Sequence, residues 1–103
     1  GMLPTLTADE KRKALEKAQA MRKARADLRE QLKKGEVTLE EVLNRDDPVV
    51  ARMKVSYLLR SLPRVGKVKA ERIMQEIGIN ESRRVQGLGT RQKQALLARF
   101  MDK

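Results

Sequence analysis

The segment Leu62-Pro63-Arg64-Val65-Gly66-Lys67-Val68-Lys69-Ala70 carries the first pattern that implies chemistry. Pro63 ends one apolar segment, and Val65 is placed to anchor a turn in the core. Gly66 permits an unusual backbone angle and leaves no side chain between the backbone and a ligand. Lys67 and Lys69 then fall in the first turn of the helix expected from Gly66 to Ile77. That end of a helix dipole is positive and favours Asp or Glu. Two lysines there are locally unfavourable unless an anion sits among them, held by ammonium groups and backbone N–H groups together. Arg64, Gly66, Lys67 and Lys69 are therefore candidate phosphate-binding residues.

The same oddity recurs in Arg83-Arg84-Val85-Gln86-Gly87-Leu88-Gly89-Thr90-Arg91-Gln92-Lys93. A basic pair precedes a Gly-X-Gly turn, Thr90 is placed to cap a helix, and that helix begins with Arg91 and Lys93. Arg83, Arg84, Gly87, Gly89, Arg91 and Lys93 join the candidates. A glycine-rich connector is the bland alternative; its repetition beside bases favours phosphate binding. Rival phosphate motifs do not fit. Gly66-Lys67 lacks the G-x-x-x-x-G-K-[ST] spacing, with Val68 where a Mg²⁺-binding hydroxyl belongs. Gly87-Leu88-Gly89 lacks the third glycine and the preceding strand of a dinucleotide fingerprint.

Charge points the same way. The chain has 103 residues, with 24 Lys and Arg against 14 Asp and Glu, a formal net charge of +10. A surplus of this size on one small domain is the electrostatic footprint of a polyanion partner. It is unevenly spread: residues 1–35 carry net +5, residues 36–53 net −3 and residues 54–103 net +8. An acidic spacer thus separates two basic parts. Cys and His are both absent, which excludes the usual zinc fingers, haem ligation and Ser-His or Cys-His nucleophile pairs. No metal, cofactor or small-molecule substrate is expected. No apolar run approaches the roughly 20 residues of a membrane span, and no signal peptide is visible. Gly1 before Met2 reads as an expression scar. The expectation is a soluble, cytoplasmic protein.

The elements that must position these residues read as helices. Thr7-Ala8-Asp9-Glu10 is a capping box. From Ala8 to Lys34 strong helix formers run without Pro or Gly, and Gly35 ends the run. About 27 residues at ~1.5 Å each give a rod of ~40 Å. Its apolar stripe is thin: Leu15, Ala18, Met21, Leu28 and Leu32. The end bearing Leu28 and Leu32 should dock on the core. Ten bases against five acids leave Lys11, Arg12, Lys13 and Lys17 as possible arm contacts with a nucleic-acid backbone; a solvated, ion-paired helix is the alternative.

Beyond the rod, Thr38-Leu39-Glu40-Glu41 is a second capping box, and Asp47-Pro48 reads as an N-cap followed by Pro at the first helical position. Helices follow near 39–44, 48–53, 54–61 and 66–77. Val68, Ala70, Ile73, Met74 and Ile77 are expected to face inward and Gly78 to close the fifth helix. A single turn is expected over Glu81–Val85, then a last helix from Thr90 to Met101. No sustained strand alternation occurs, so the chain is all-α. Residues 1–35 form a basic arm and long helix, and residues 36–103 a compact helical domain.

Together these blocks resemble the actinobacterial (mycobacterial and streptomycete) integration host factor family. The resemblance runs from Leu3-Pro4 and Leu15-Glu16-Lys17-Ala18, through Met53-Lys54-Val55-Ser56, Leu58-Leu59 and Leu62-Pro63, to Val65-Gly66-Lys67-Val68. It continues with Ile73-Met74, Ser82-Arg83-Arg84-Val85 and Gly87-Leu88-Gly89. It implies a long N-terminal helix joined to a helix-two-turn-helix DNA-binding domain. The implied role is that of a nucleoid-associated protein that binds double-stranded DNA with little sequence preference. Such a protein shapes DNA and assists recombination by a phage integrase at a shared site. The family's phosphate contacts would fall on Gly66, Lys67, Lys69, Arg83, Arg84, Gly87 and Gly89. Members commonly carry a third base where Gln86 stands here, so this chain keeps a hydrogen-bonding group there without the charge.

Two other functions compete. A ribosomal helix-two-turn-helix protein would bind rRNA, but the long basic C-terminal tail of that protein is missing. A DNA repair glycosylase shares the domain, but Pro4 is internal and 103 residues cannot hold a second domain. No acid–base or metal constellation supports an enzyme. With Tyr57 and Phe100 as the only aromatics, base stacking on single strands is disfavoured. The expected state in solution is a monomer.

Overall fold

A computed structural model of the chain describes residues 7–101. Gly1, the Leu3-Pro4 pair and the terminal Asp102-Lys103 lie outside the described residues. Among the described residues six α-helices follow in order: α1 Ala8–Lys33, α2 Leu39–Leu43, α3 Pro48–Arg52, α4 Val55–Arg60, α5 Lys67–Ile77 and α6 Thr90–Met101. A 3-10 turn, Val85–Gly87, precedes α6. No strand occurs among the described residues; a single antiparallel bridge joins Lys54 and Arg84.

Local chemistry sets most of the helix ends. The Thr7 hydroxyl accepts from the Glu10 N–H at 3.1 Å and donates to the Glu10 carboxylate at 3.0 Å. Thr38 accepts from the Glu41 N–H at 3.1 Å. Asp47 accepts from the Val49 N–H at 2.8 Å, with Pro48 supplying the first helical residue, which needs no donor. Gly78 closes α5 at φ 85°. Its N–H donates to Gln75 and that of Ile79 to Met74 at 2.8 Å, the paired bonds of a Schellman end.

The core lies where α1's last turns meet the shorter helices. Leu28 and Leu32 of α1 are buried with Val42 of α2, Val50 of α3, Leu58 and Leu59 of α4, Ile73 of α5 and Leu96 of α6. Burial of each such Leu is worth ~1.5–3 kcal/mol, so two of them suffice to dock the rod by its C-terminal end. The preceding turns project: Leu15 is 56% exposed. The Arg99 guanidinium pairs with Glu76, tying α6 to α5.

Three local expectations are corrected. Val68 faces outward at 69% exposure; Ala70, Ile73 and Met74 are the buried positions of α5. The single turn expected over Glu81–Val85 lies further on, as the 3-10 turn Val85–Gly87, and residues 81–84 are not helical. The Asn80 side chain accepts from the Ser82 N–H at 2.9 Å and the Asn80 carbonyl from the Arg83 N–H at 3.0 Å, making a tight turn. Arg84 is then extended, because Val55 N–H donates to the Arg83 carbonyl and Val85 N–H to the Met53 carbonyl, both at 2.9 Å. Thr90 is the first residue of α6 rather than its cap. Gly89 takes the cap position: its carbonyl accepts from the Lys93 N–H at 3.0 Å and its own N–H donates to Gln92 Oε1 at 3.1 Å.

Candidate nucleic-acid interface

The Leu62–Gly66 hairpin joins α4 to α5. Val65 is buried at 7% exposure and anchors it, with its N–H donating to the Leu62 carbonyl. The unusual backbone angle falls on Arg64, at φ 66°, not on Gly66, which is extended at φ −95° and ψ −173°. Neither the backbone angle nor packing within the chain therefore requires a glycine at 66. A Cβ there would meet nothing within 4 Å, so the approach to α5 is open.

No side chain caps α5, and no acid stands in its first turn. The first backbone bond, from Ala70 N–H to the Gly66 carbonyl, leaves the N–H groups of Lys67, Val68 and Lys69 without intrahelical partners. Lys67 and Lys69 are exposed on either side of Val68. Lys33, at the end of α1, lines an open cleft with the hairpin residues, Arg64 and Gly66 included.

The Arg83-Arg84 segment is held in place by backbone acceptors. Arg83 Nη1 donates to the Gly87 carbonyl at 3.1 Å. A Cβ on Gly87 would stand 3.0 Å from Arg83 Cδ, so the glycine makes room for the arginine stem. Arg84 Nη1 donates to the carbonyl of Arg52, the last residue of α3. Through the bridge, Arg84 lies against Lys54.

Sequence reasoning missed the residues that link the two basic segments. Lys54 and Arg60 line one groove with Lys67 and Ser82, beside Glu71 and Glu81. The sequence signal was faint: a Lys just before an apolar helix, and an Arg at that helix's end. Only packing shows that both meet the Lys67 face.

Arg91 and Lys93 diverge. Arg91 shares a cleft with Glu76 and Gly78 at the far end of α5. Lys93 lines another with Arg45, Asp46, Asp47, Arg52 and Gln86. Neither cleft contains Lys67, Arg83 or Arg84. Gln92 also engages the start of α6, accepting from Gly89 and donating to the Gly78 carbonyl at 3.1 Å. The two basic helix starts are thus not equivalent: α5 is uncapped, whereas α6 is bound by its own side chain.

On the projecting rod, Lys11, Lys13 and Lys17 are exposed. Arg12 is paired with Asp9 at 3.3 Å and Glu16 at 3.9 Å. No cluster of three metal-ligating side chains occurs among the described residues, and no described helix is long and apolar enough to cross a membrane.

The sequence model of the S13-like H2TH domain matches residues 32–100. The chain is 52% identical over 100 residues to the Integration host factor of Mycolicibacterium smegmatis, and as similar to that of Mycobacterium tuberculosis, with 95% of each chain covered. Identity to the Integration host factor of Streptomyces coelicolor is 48% over 95% of this chain and 94% of that one. The chain belongs to the integration host factor family. A solved structure of sIHF bound to an 8-bp palindromic DNA shares 48% identity with it and superposes with a TM-score of 0.80, covering 82% of this chain and 98% of that one. Within this integration host factor fold, the match from residue 32 onward takes in the hairpin, the bridge and α6.

Proposed function

We propose that this chain binds double-stranded DNA through its phosphate backbone, with little dependence on sequence, and acts as a nucleoid-associated architectural protein. The observation that carries the reading is the uncapped start of α5. Lys67, Val68 and Lys69 present N–H groups without intrahelical partners, and Lys67 and Lys69 present two ammonium groups, to solvent beside Gly66, while Arg83 and Arg84 are oriented by backbone carbonyls. Guanidinium, ammonium and backbone N–H groups suit phosphate oxygens and carry little base-edge information. The DNA-bound relative and the integration host factor names of the curated relatives support the same reading.

Residues 36–103 form the binding module and residues 1–35 the arm, with Lys11, Lys13 and Lys17 the exposed lysines of its projecting end. Arg91 and Lys93 serve as peripheral contacts. The chain works by binding rather than catalysis, as a monomer in the cytoplasm without a cofactor. It assists a phage integrase by shaping a DNA site that both occupy.

The test is fluorescence anisotropy against duplex DNA, single-stranded DNA and structured RNA at one salt concentration. Tightest binding to duplex, varying little among unrelated sequences, is the expected result. Preference for structured RNA would transfer the reading to an rRNA-binding role. A consensus with mismatches costing ~1–3 kcal/mol each would overturn sequence tolerance.

A further inference from the structure

A second basic cleft lies beside the Lys67 groove. Arg25 of α1, Arg52, Lys54, Arg60 and Arg84 line it, together with Met53, Ser56 and Tyr57. Five cations converge with no acidic side chain in the lining. None of the five is in an ion pair among the described residues, although ion pairs hold Arg12, Lys23, Lys34 and Arg99 elsewhere. Arg60 is half-buried, and its Nε is buried with no hydrogen-bond partner. A buried donor left unmatched costs free energy, and so does concentrating like charge. An anion in the cleft removes both costs.

The cleft is preformed. Arg84 is held by the Arg52 carbonyl, and Lys54 by the bridge to Arg84. Arg29, one turn beyond Arg25, stacks over the Tyr57 ring at 5.2 Å from its centroid, fixing α1 against α4 at this point. Lys54 and Arg60 also line the groove that contains Lys67. The two depressions therefore share a wall of bases.

We infer that this cleft is a phosphodiester-binding site that extends the α5 contact across to α1, with Arg25 and Arg60 as DNA-contacting residues. The backbone of one duplex runs past Lys67, Lys54 and Arg60 and ends on Arg25, so the middle of α1, rather than only its projecting end, takes part in binding. This inference rests on the duplex-DNA reading.

The test compares the full chain with Arg25→Gln, Arg60→Gln and the conservative Arg25→Lys and Arg60→Lys, in duplex binding over a range of salt concentrations. Each Gln variant should bind about tenfold more weakly and lower the magnitude of the log K against log salt slope by ~1. The Lys variants should keep the parent slope, which a merely structural role would not predict. Arg25 stands on an exposed part of α1, so its variants test the site without loss of fold even if Arg60→Gln melts early. Parent-like affinity and slope in both Gln variants would overturn the inference while leaving duplex binding intact. A parent chain that fails to bind duplex would overturn the DNA reading itself, and the cleft's role with it.

Discussion

Arg83 lies across Gly87: its guanidinium donates to the Gly87 carbonyl at 3.1 Å, and its Cδ occupies space 3.0 Å from where a Gly87 Cβ would stand. Gly87→Ala should therefore displace the Arg83 stem. The backbone there is not left-handed, so helical circular dichroism should stay normal and stability fall by less than ~1 kcal/mol. Duplex affinity should fall to the level of Arg83→Ala. Parent-like affinity in Gly87→Ala would show that the Arg83 posture is irrelevant to binding.

Position 66 separates stability from binding. Gly66 is the N-cap of α5, has an ordinary extended backbone and has open space around its Cα. Gly66→Asp should cap the helix and raise stability by a few tenths of a kcal/mol. The same carboxylate would stand where the phosphate belongs and repel it. The expected result is an unchanged or higher melting temperature together with at least tenfold weaker duplex binding, while Gly66→Ala should bind better than Gly66→Asp. Undiminished binding by Gly66→Asp would exclude the α5 start as a phosphate site.

Arg64 holds a left-handed backbone, φ 66°, while exposed in the hairpin. That conformation costs a side-chain-bearing residue ~1–2 kcal/mol. Arg64→Gly removes the strain but adds freedom to the unfolded chain, leaving a net gain of up to ~1 kcal/mol. Thermal melting should show it. Duplex affinity should fall, with the salt slope smaller by ~1.

If five to seven bases each neutralise a phosphate, log K against log salt should slope by about −4.5 to −6. Titration of one duplex at several salt concentrations measures it. A slope near zero would remove phosphate contacts as the main source of affinity.

Deleting residues 1–20 removes no buried side chain among the described residues, since the first fully packed position of α1 is Leu28. The remainder should fold with a melting temperature close to the parent's. Its duplex affinity should fall through loss of Lys11, Lys13 and Lys17, with less from Arg12, whose guanidinium lies beside Asp9 and Glu16. Unchanged affinity would reduce the projecting end of α1 to a solvated helix.

Where a structural feature depends on residues a few positions apart, the sequence alone determined it. Thr7 with Glu10, Thr38 with Glu41, Asp47 with Pro48, and Gly78 each set a helix end through bonds spanning two to four residues. Capping chemistry is local, so these boundaries, the all-α class and the docking of Leu28 and Leu32 were legible in advance. So were the bases at the start of α5 and the Arg83-Arg84 pair.

Tertiary structure decided what depends on distant partners. Whether Val68 points inward is set by the phase of α5 against α4 and the core, and that phase places Ala70, Ile73 and Met74 inside instead. Residues 81–85 have helical composition, but the N–H groups of Val55 and Val85 find their acceptors across the chain, at Arg83 and Met53, and draw Arg84 into extended backbone. Arg91 and Lys93 look like a repeat of Lys67 and Lys69, yet neighbouring positions on a helix point in different directions and reach separate clefts. Arg25, Lys54, Arg60 and Arg84 are scattered along the chain and become one charged wall only after α1 packs beside α4. Residue types and short spacings determine helix ends and total charge. Which charges share a surface depends on how the helices pack, because burial of the apolar faces fixes where every polar face must point.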